Sequence, residues 1–383
     1  MILRDFLDTL RASIQLESVM LLGPRQVGKS TLLEQLEPAS HLIFDDFGLR
    51  ERAQKDPALV LDGTKLPCLL DEAQYAPNLF PEVKLRIDNY RRARRRSEQL
   101  VKPPLFYITG SNRTLLDKNV GESLSGRSHL YYLLGLSVRE IRRAFPSLGL
   151  KTILIRGGLP ELYVREELKF QNYLNDYLIT FVERDLAVSG GIEKLSAFNT
   201  VLRLLAARTA QFLNASEVSA AAGIDQKTVQ SWIGILERNL IIQLLPTYSS
   251  NLSKRIIKMR KLFFCDTGLC ARLQGHLDEE PLWNSPHAGA LFETLVFSEI
   301  QKCIFNFLKP WHLFTWRTKE KNEIDFVLVR EKDIVFIESK LGIHGARHFD
   351  LDVEAKKIFP PPHHKVVVTA GGISQKLSKD TLA

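Results

Sequence analysis

Short, continuously apolar runs separated by helical stretches occupy the first 140 positions. Candidate strands fall at 19–22, 42–44, 68–70, 105–109 and 129–134. Each is apolar throughout rather than alternating, which suits strands covered on both faces of a parallel sheet. Strands alternating with helical patterns predict an α/β architecture. From Glu166 to about Gln211 the period changes. Phe170, Tyr173, Leu174, Tyr177, Leu178 and Phe181 recur at spacings of three and four and predict a helical lid or connector. A helix after Asn214, a break at Gly223 and a second helix, capped by Asp225 and running through Trp232 to about Arg238, predict a helix-turn-helix. The basic segment 254–261 is its expected wing. Beyond the turn-rich stretch 275–286, a helix over 288–304 precedes strands near 313–316, 324–329, 334–338 and 365–369.

Chemistry enters at Gly23-Pro24-Arg25-Gln26-Val27-Gly28-Lys29-Ser30, followed by Thr31, a G-x4-G-K-[ST] loop between a short strand and a helix opening. Glycine lets the backbone curl so that successive N–H groups face the phosphates of a nucleotide. Lys29 adds a full charge, and Ser30 a hydroxyl for magnesium. The expected ligands are therefore ATP or ADP and Mg2+. Cys68-Leu69-Leu70-Asp71-Glu72 ends an apolar strand with two acids at the carboxyl edge of the sheet. Asp71 is expected on the Mg2+ shell and Glu72 on the water that attacks the γ-phosphate. A third strand ends in Gly110-Ser111-Asn112-Arg113, where Ser111 or Asn112 is expected as a sensor of the γ-phosphate or lytic water. Arg127, ahead of the last strand, is the candidate arginine finger for a neighbouring subunit.

The motifs GPRQVGKSTLL (23–33), LDEAQ (70–74), ITGSN (108–112), LSGR (124–127), GGLPE (157–161) and FVERDL (181–186) occur in that order. Together they resemble the bacterial and archaeal AAA+-type ATPases that carry a C-terminal domain of unknown function similar to PD-(D/E)xK nucleases. The resemblance covers most of the chain. It implies ATP binding, a core strand order of 5-1-4-3-2 and a lid beginning near Gly157. The stretch 86–104 is longer and more basic than the resemblance leads one to expect. The expected organisation is an AAA+-like P-loop core at 1–150, a helical lid at 151–212, a winged-helix-like unit at 213–275 and a PD-(D/E)xK-like α/β domain at 276–383.

The C-terminal third carries Glu293 on a helix, Asp325 on a strand, and Glu338-Ser339-Lys340 closing the next strand. In that fold, carboxylates such as these surround a second divalent metal, and a lysine such as Lys340 steadies the attacking hydroxide. A tight turn at Lys332-Asp333 would pair Asp325 with Lys340, on the sheet face of Glu338.

Composition adds less. At 383 residues the chain is long enough for more than one core. It has no apolar run long enough for a membrane span. Its first residues lack the basic-then-apolar run of a secretory signal, so a cytoplasmic protein is expected. Cys68, Cys265, Cys270 and Cys303 show no paired spacing and suit buried hydrophobes better than zinc ligands. With 52 basic against 44 acidic residues the net charge is +8, compatible with a polyanionic partner. Arg91, Arg92 and Arg94–Arg96 form the densest run, and Gln226, Lys227 and Gln230 are placed to approach a groove. ATP hydrolysis coupled to DNA or RNA by a homo-oligomer is the leading expectation. A nucleotide-dependent switch or scaffold, whose C-terminal units only bind partners, is the alternative, and an ATP-gated nuclease is a third.

Overall fold

In the computed structural model of the chain, residues 2–13, 17–96, 105–111, 124, 126–186, 190–249, 259–318, 322–342, 359, 363–371, 376–378 and 381–382 are described. Strands β1 (Ser18–Leu22), β2 (Ser40–Ile43), β3 (Cys68–Asp71), β4 (Phe106–Gly110) and β5 (Ser128–Tyr132) form a parallel sheet in the order β2-β3-β4-β1-β5. This is the expected 5-1-4-3-2 order read from the opposite edge.

The three inner strands are buried at every position. Val19, Leu21, Leu69 and Tyr107 face one apolar cluster, while Met20, Leu22, Leu70 and Ile108 face another. Both faces are thus covered, which explains why these strands lack a polar alternation. The outer strand β2 does alternate between half-buried and exposed positions. The skip from β1 to the far edge and back leaves the loops after β1, β3 and β4 together at the carboxyl end of the sheet.

The helical region after the core is interrupted. Helix Phe170–Tyr177 widens into a π-helix over Leu178–Asp185, and a further helix follows at Leu195–Ala206. Gly158 fixes the junction with the core. The Leu136 N–H donates to its carbonyl at 2.6 Å, and a β-carbon on either Gly135 or Gly158 would lie 2.7 Å from a carbonyl oxygen of the opposing segment. Only glycine permits that approach.

The helix-turn-helix takes the form read from its caps, Ala215–Ala222 and Gln226–Arg238. Gly223 sits at φ 65 between them, and Asp225 accepts from the Thr228 N–H at 3.0 Å. A small antiparallel sheet, β6 (Gln211–Phe212), β8 (Lys261–Phe264) and β7 (Ile242–Leu245), packs beside it. Residues 254–258 of the basic segment lie outside the described residues. One apolar cluster runs from Phe6 through Leu154, Phe198 and Trp232 to Leu291, so the parallel sheet, the helices that follow it and the helix-turn-helix share an interior.

The last part is helix Ala288–Asn306 against a six-stranded sheet containing β9 (His312–Arg317), β10 (Glu323–Arg330), β11 (Asp333–Lys340) and β12 (His364–Thr369). The β10–β11 turn is not at Lys332-Asp333. Arg330 pairs with Asp333, which makes Glu331-Lys332 the turn, with Glu331 at φ 51 and an Arg330–Asp333 ion pair of 2.6 Å across it. Continuing that register sets Asp325 opposite Glu338 instead of Lys340. The shift is even, so Asp325 keeps its expected face.

Candidate functional site

The loop after β1 has the curl its glycines were expected to allow. Gln26 and Gly28 take φ 62 and φ 89, and Gly23 lies so close to the Leu133 carbonyl that a β-carbon would come within 2.0 Å of it. Lys29 is 4% exposed, and its ammonium donates to the carbonyls of Gly23 at 3.1 Å and Pro24 at 2.8 Å. Burial holds its pKa below the ordinary lysine value, with Glu72 and Asp71 opposing.

Ser30 Oγ donates to Asp71 Oδ1 at 2.6 Å, and Thr109 Oγ1 donates to the same oxygen at 2.5 Å. Three elements therefore bring hard oxygen donors to one point. Glu72, at φ 52, stands in a backbone region that a non-glycine residue rarely adopts. Its N–H donates to Thr109 Oγ1 at 2.8 Å, and its carboxylate accepts from Ser111 Oγ at 2.5 Å and from the Gln74 amide. Ser111 is buried beside Glu72, whereas Asn112 lies outside the described residues.

A cleft of about 680 Å³ opens beside this cluster. Lys29, Ser30, Thr31 and Glu72 line its polar side, and Ile2, Leu136, Pro160 and Val164 supply an apolar wall. Tyr173 Oη donates to Gln26 Oε1 at 2.7 Å, Tyr177 Oη donates to the Arg25 carbonyl at 3.3 Å, and the Arg25 guanidinium reaches the Tyr75 hydroxyl. Helix Phe170–Tyr177 thus rests directly on the loop.

Several contributors were not read from the sequence. Arg4 is 6% exposed and donates to the Val27 carbonyl at 2.7 Å, the Leu134 carbonyl at 2.8 Å and Glu140 Oε1 at 3.1 Å. Glu140 closes a capping box with Ser137, so one buried ion pair fixes the back of the loop to the exit of β5. His41 Nε2 is 3.9 Å from Asp71 Oδ2. Lys302, on helix Ala288–Asn306, donates to the Leu136 carbonyl at 2.8 Å, and Glu299 on that helix accepts the Val138 N–H at 2.9 Å. Asp266 accepts the Gly158 N–H at 2.7 Å. Arg127, the candidate finger, makes a two-pronged pair with Asp88 on helix Leu79–Arg96, at 2.7 and 3.0 Å.

At the C-terminal end, Glu293 and Asp325 come together around Lys261, a residue expected in the wing, and Glu338 pairs with Lys340 on the strand beside Asp325. Lys261 of β8 is 2.5 Å from Glu293 Oε1 and 3.7 Å from Asp325 Oδ1, and it contacts Glu323 as well. Asp325 Oδ2 accepts from the Ser339 N–H at 2.8 Å and Oγ at 2.9 Å, and Lys340 pairs with Glu338 at 2.9 Å. Burial would lower the Lys261 pKa, but Glu293, Asp325 and Glu323 together outweigh it and hold it above the ordinary value. Burial pushes Glu293 up to about 8, with Lys261 opposing. Glu338 is raised to about 7 by burial and by Asp325. Among the described residues, no group of three or more His, Cys, Asp or Glu side chains is arranged to hold a metal ion. Lys261, 2.5 Å from Glu293 Oε1, stands among the acids expected to hold a second metal.

Comparison with known proteins gives three successive domain matches. Residues 16–142 match an AAA domain, 148–280 a domain of unknown function (DUF8612) and 288–382 another (DUF4143). An uncharacterized protein of Mycobacterium tuberculosis is 31% identical over 326 residues, 84% of this chain and 70% of that one. An uncharacterized protein of Haemophilus influenzae is 23% identical over 358 residues, 85% of this chain and 83% of the other. Among solved structures, the Thermotoga maritima RuvB Holliday junction branch migration motor aligns with 14% identity and a TM-score of 0.30, covering 62% of this chain and 84% of its own. The Aeropyrum pernix ORC2 protein aligns with 13% identity and a TM-score of 0.31, covering 78% and 92%. Among the described residues no helix is long and apolar enough to cross a membrane.

Proposed function

The chain carries an AAA domain and belongs to one family with the uncharacterized Mycobacterium tuberculosis protein, and on that premise we propose that it is an AAA+-type P-loop ATPase that binds ATP with Mg2+ and hydrolyses it. The observation that carries this reading is the meeting of Asp71 and Thr109 behind Ser30, which with Lys29 and Glu72 lines an open cleft. Hydroxyl and carboxylate oxygens are the donor set that Mg2+ takes, so the residues fit the ion. When bound, Mg2+ would neutralise charge on the β- and γ-phosphates.

Lys29 would leave the two loop carbonyls for phosphate oxygens, a stronger, charge-assisted partner. The curled backbone of 23–28 would line the phosphate chain, while the wall of Ile2, Leu136, Pro160 and Val164 would take the apolar base. Glu72, oriented by Ser111 and Gln74, would accept the proton of the attacking water as it adds to the γ-phosphorus. Phosphate would leave with the bond to ADP broken. Arg127 would serve a neighbouring subunit's nucleotide only after leaving Asp88, and a homo-oligomer belongs to this reading on that condition.

Coupling to nucleic acid is supported by exposed Gln226, Lys227 and Gln230 at the start of the second helix of the helix-turn-helix, and by exposed Arg92, Arg94 and Arg95. Phosphate release and nucleotide affinity, measured for the full chain and for Lys29→Ala, with and without DNA and RNA at two salt concentrations, test both parts. The expected results are at least tenfold weaker nucleotide binding in the variant and stimulation by nucleic acid that fades with salt. Unchanged affinity in Lys29→Ala refutes the cradle. Turnover indifferent to both polymers favours the switch or scaffold.

A further inference from the structure

Lys261 opens β8, where it pairs with Leu245 of β7 and Phe212 of β6 in the small sheet beside the helix-turn-helix. Its side chain does not stay there. It crosses into the C-terminal part, is 2% exposed, and ends among Glu293, Glu323 and Asp325, which come from one helix and one strand of that part. Arg317 approaches Glu323 from the neighbouring strand at 3.8 Å, and Lys340 occupies Glu338 at 2.9 Å. Each acid of the constellation that the sequence assigned to a metal therefore already lies against a cation, Glu293 Oε1 by charge alone and without a hydrogen bond.

A divalent ion bound by these acids would need oxygen contacts of about 2.0–2.6 Å. The Lys261 nitrogen stands 2.5 Å from the Glu293 oxygen such an ion would use. A metal there would be pressed against a buried ammonium. Like charges at that separation in a dry interior repel strongly.

We infer that Lys261 is the resident cation of the Glu293–Asp325–Glu338 constellation, making it an ion-pair joint that fastens β8 to the C-terminal sheet and excludes divalent metal. The site therefore carries no metal-dependent phosphodiester cleavage while Lys261 is seated. The same acids become a metal site only when the lysine is removed.

Mn2+ binding to the full chain, followed by the electron paramagnetic resonance of free Mn2+ without nucleotide, tests this. Asp325→Asn in the otherwise unaltered chain should leave the number of bound ions unchanged. A loss of one ion per chain would mean that the acids hold metal with Lys261 in place, and would overturn the inference. Lys261→Ala should gain one ion per chain, and the further change Asp325→Asn should remove it. A Lys261→Ala chain that unfolds cooperatively yet gains no ion would overturn the exclusion by lysine. If Lys261→Ala fails to fold, the Asp325→Asn comparison alone decides.

Discussion

Two clusters in this molecule use the same residue types, a lysine and acidic side chains at strand ends, and they are built in opposite ways. At the nucleotide cleft, Lys29 bonds to backbone carbonyls, and the acids Asp71 and Glu72 are met by hydroxyls and an amide, groups that exchange partners at little cost. In the C-terminal cluster, Lys261 is driven directly into the acids. The first arrangement keeps positive and negative charge apart beside an open volume, so both are available to a triphosphate and its ion. The second has already neutralised itself. Whether acids near a lysine make a working site depends on where the lysine's charge is spent, which motif spacing does not record.

The widest separation between the two should appear in turnover. Glu72→Gln should keep nucleotide affinity within a few-fold and lower phosphate release by about 10²–10⁴-fold, the usual contribution of a positioned base. Turnover near wild type would remove Glu72 from the assigned role. Next comes stability, read by urea unfolding. Lys261→Met strips buried acids of their cation and should cost about 3–5 kcal/mol. Lys29→Met gives up only hydrogen bonds to carbonyls and should cost about 1 kcal/mol. Equal losses would erase the contrast.

A smaller effect is expected with pH. Glu293 and Glu338 are held at about 8 and about 7 in the folded chain, above the ordinary carboxylate value. The folded state therefore binds more protons than the unfolded one between that ordinary value and these. Their contribution is fully present below the unfolded pKa and is lost as pH rises through 7 to 8, at up to about 1.4 kcal/mol per pH unit for one group. Glu293→Gln should flatten this fall in thermal scans from pH 5.5 to 8.5. A slope as steep as wild type would show that Glu293 does not titrate there. The smallest change is assigned to Ser111→Ala, which removes one of the contacts orienting Glu72. It should lower kcat about tenfold without altering nucleotide affinity, and an affinity loss instead would place Ser111 on the nucleotide.

Much of the parallel sheet was legible because each inner strand is buried on both faces and so reads as an uninterrupted apolar run. The curl of the P-loop and the placement of the acids at the end of β3 were legible because both follow from short-range spacing. What escaped was long-range. Arg4 and Glu140 are 136 positions apart, and Lys302 meets the Leu136 carbonyl across 166. No local pattern distinguishes such a residue from a solvated one. Lys261 was misread for a related reason. It closes a basic run that looks like one surface segment, yet the strand pleat turns this member inward. The β10–β11 turn was misplaced because Glu331 takes the left-handed conformation, where sequence cues favour glycine or asparagine.

The contact between Lys302 and the Leu136 carbonyl bears on how the protein can be dissected. Leu136 belongs to the wall of the nucleotide cleft, but the ammonium that satisfies its carbonyl comes from the nineteen-residue helix Ala288–Asn306. A fragment trimmed to the AAA match alone would leave that oxygen and the Val138 amide without their partners and strip the apolar cover supplied by Leu291 and Leu295. Kinetics gathered on such a fragment would report a loosened pocket, so the enzymology calls for a polypeptide that retains this helix.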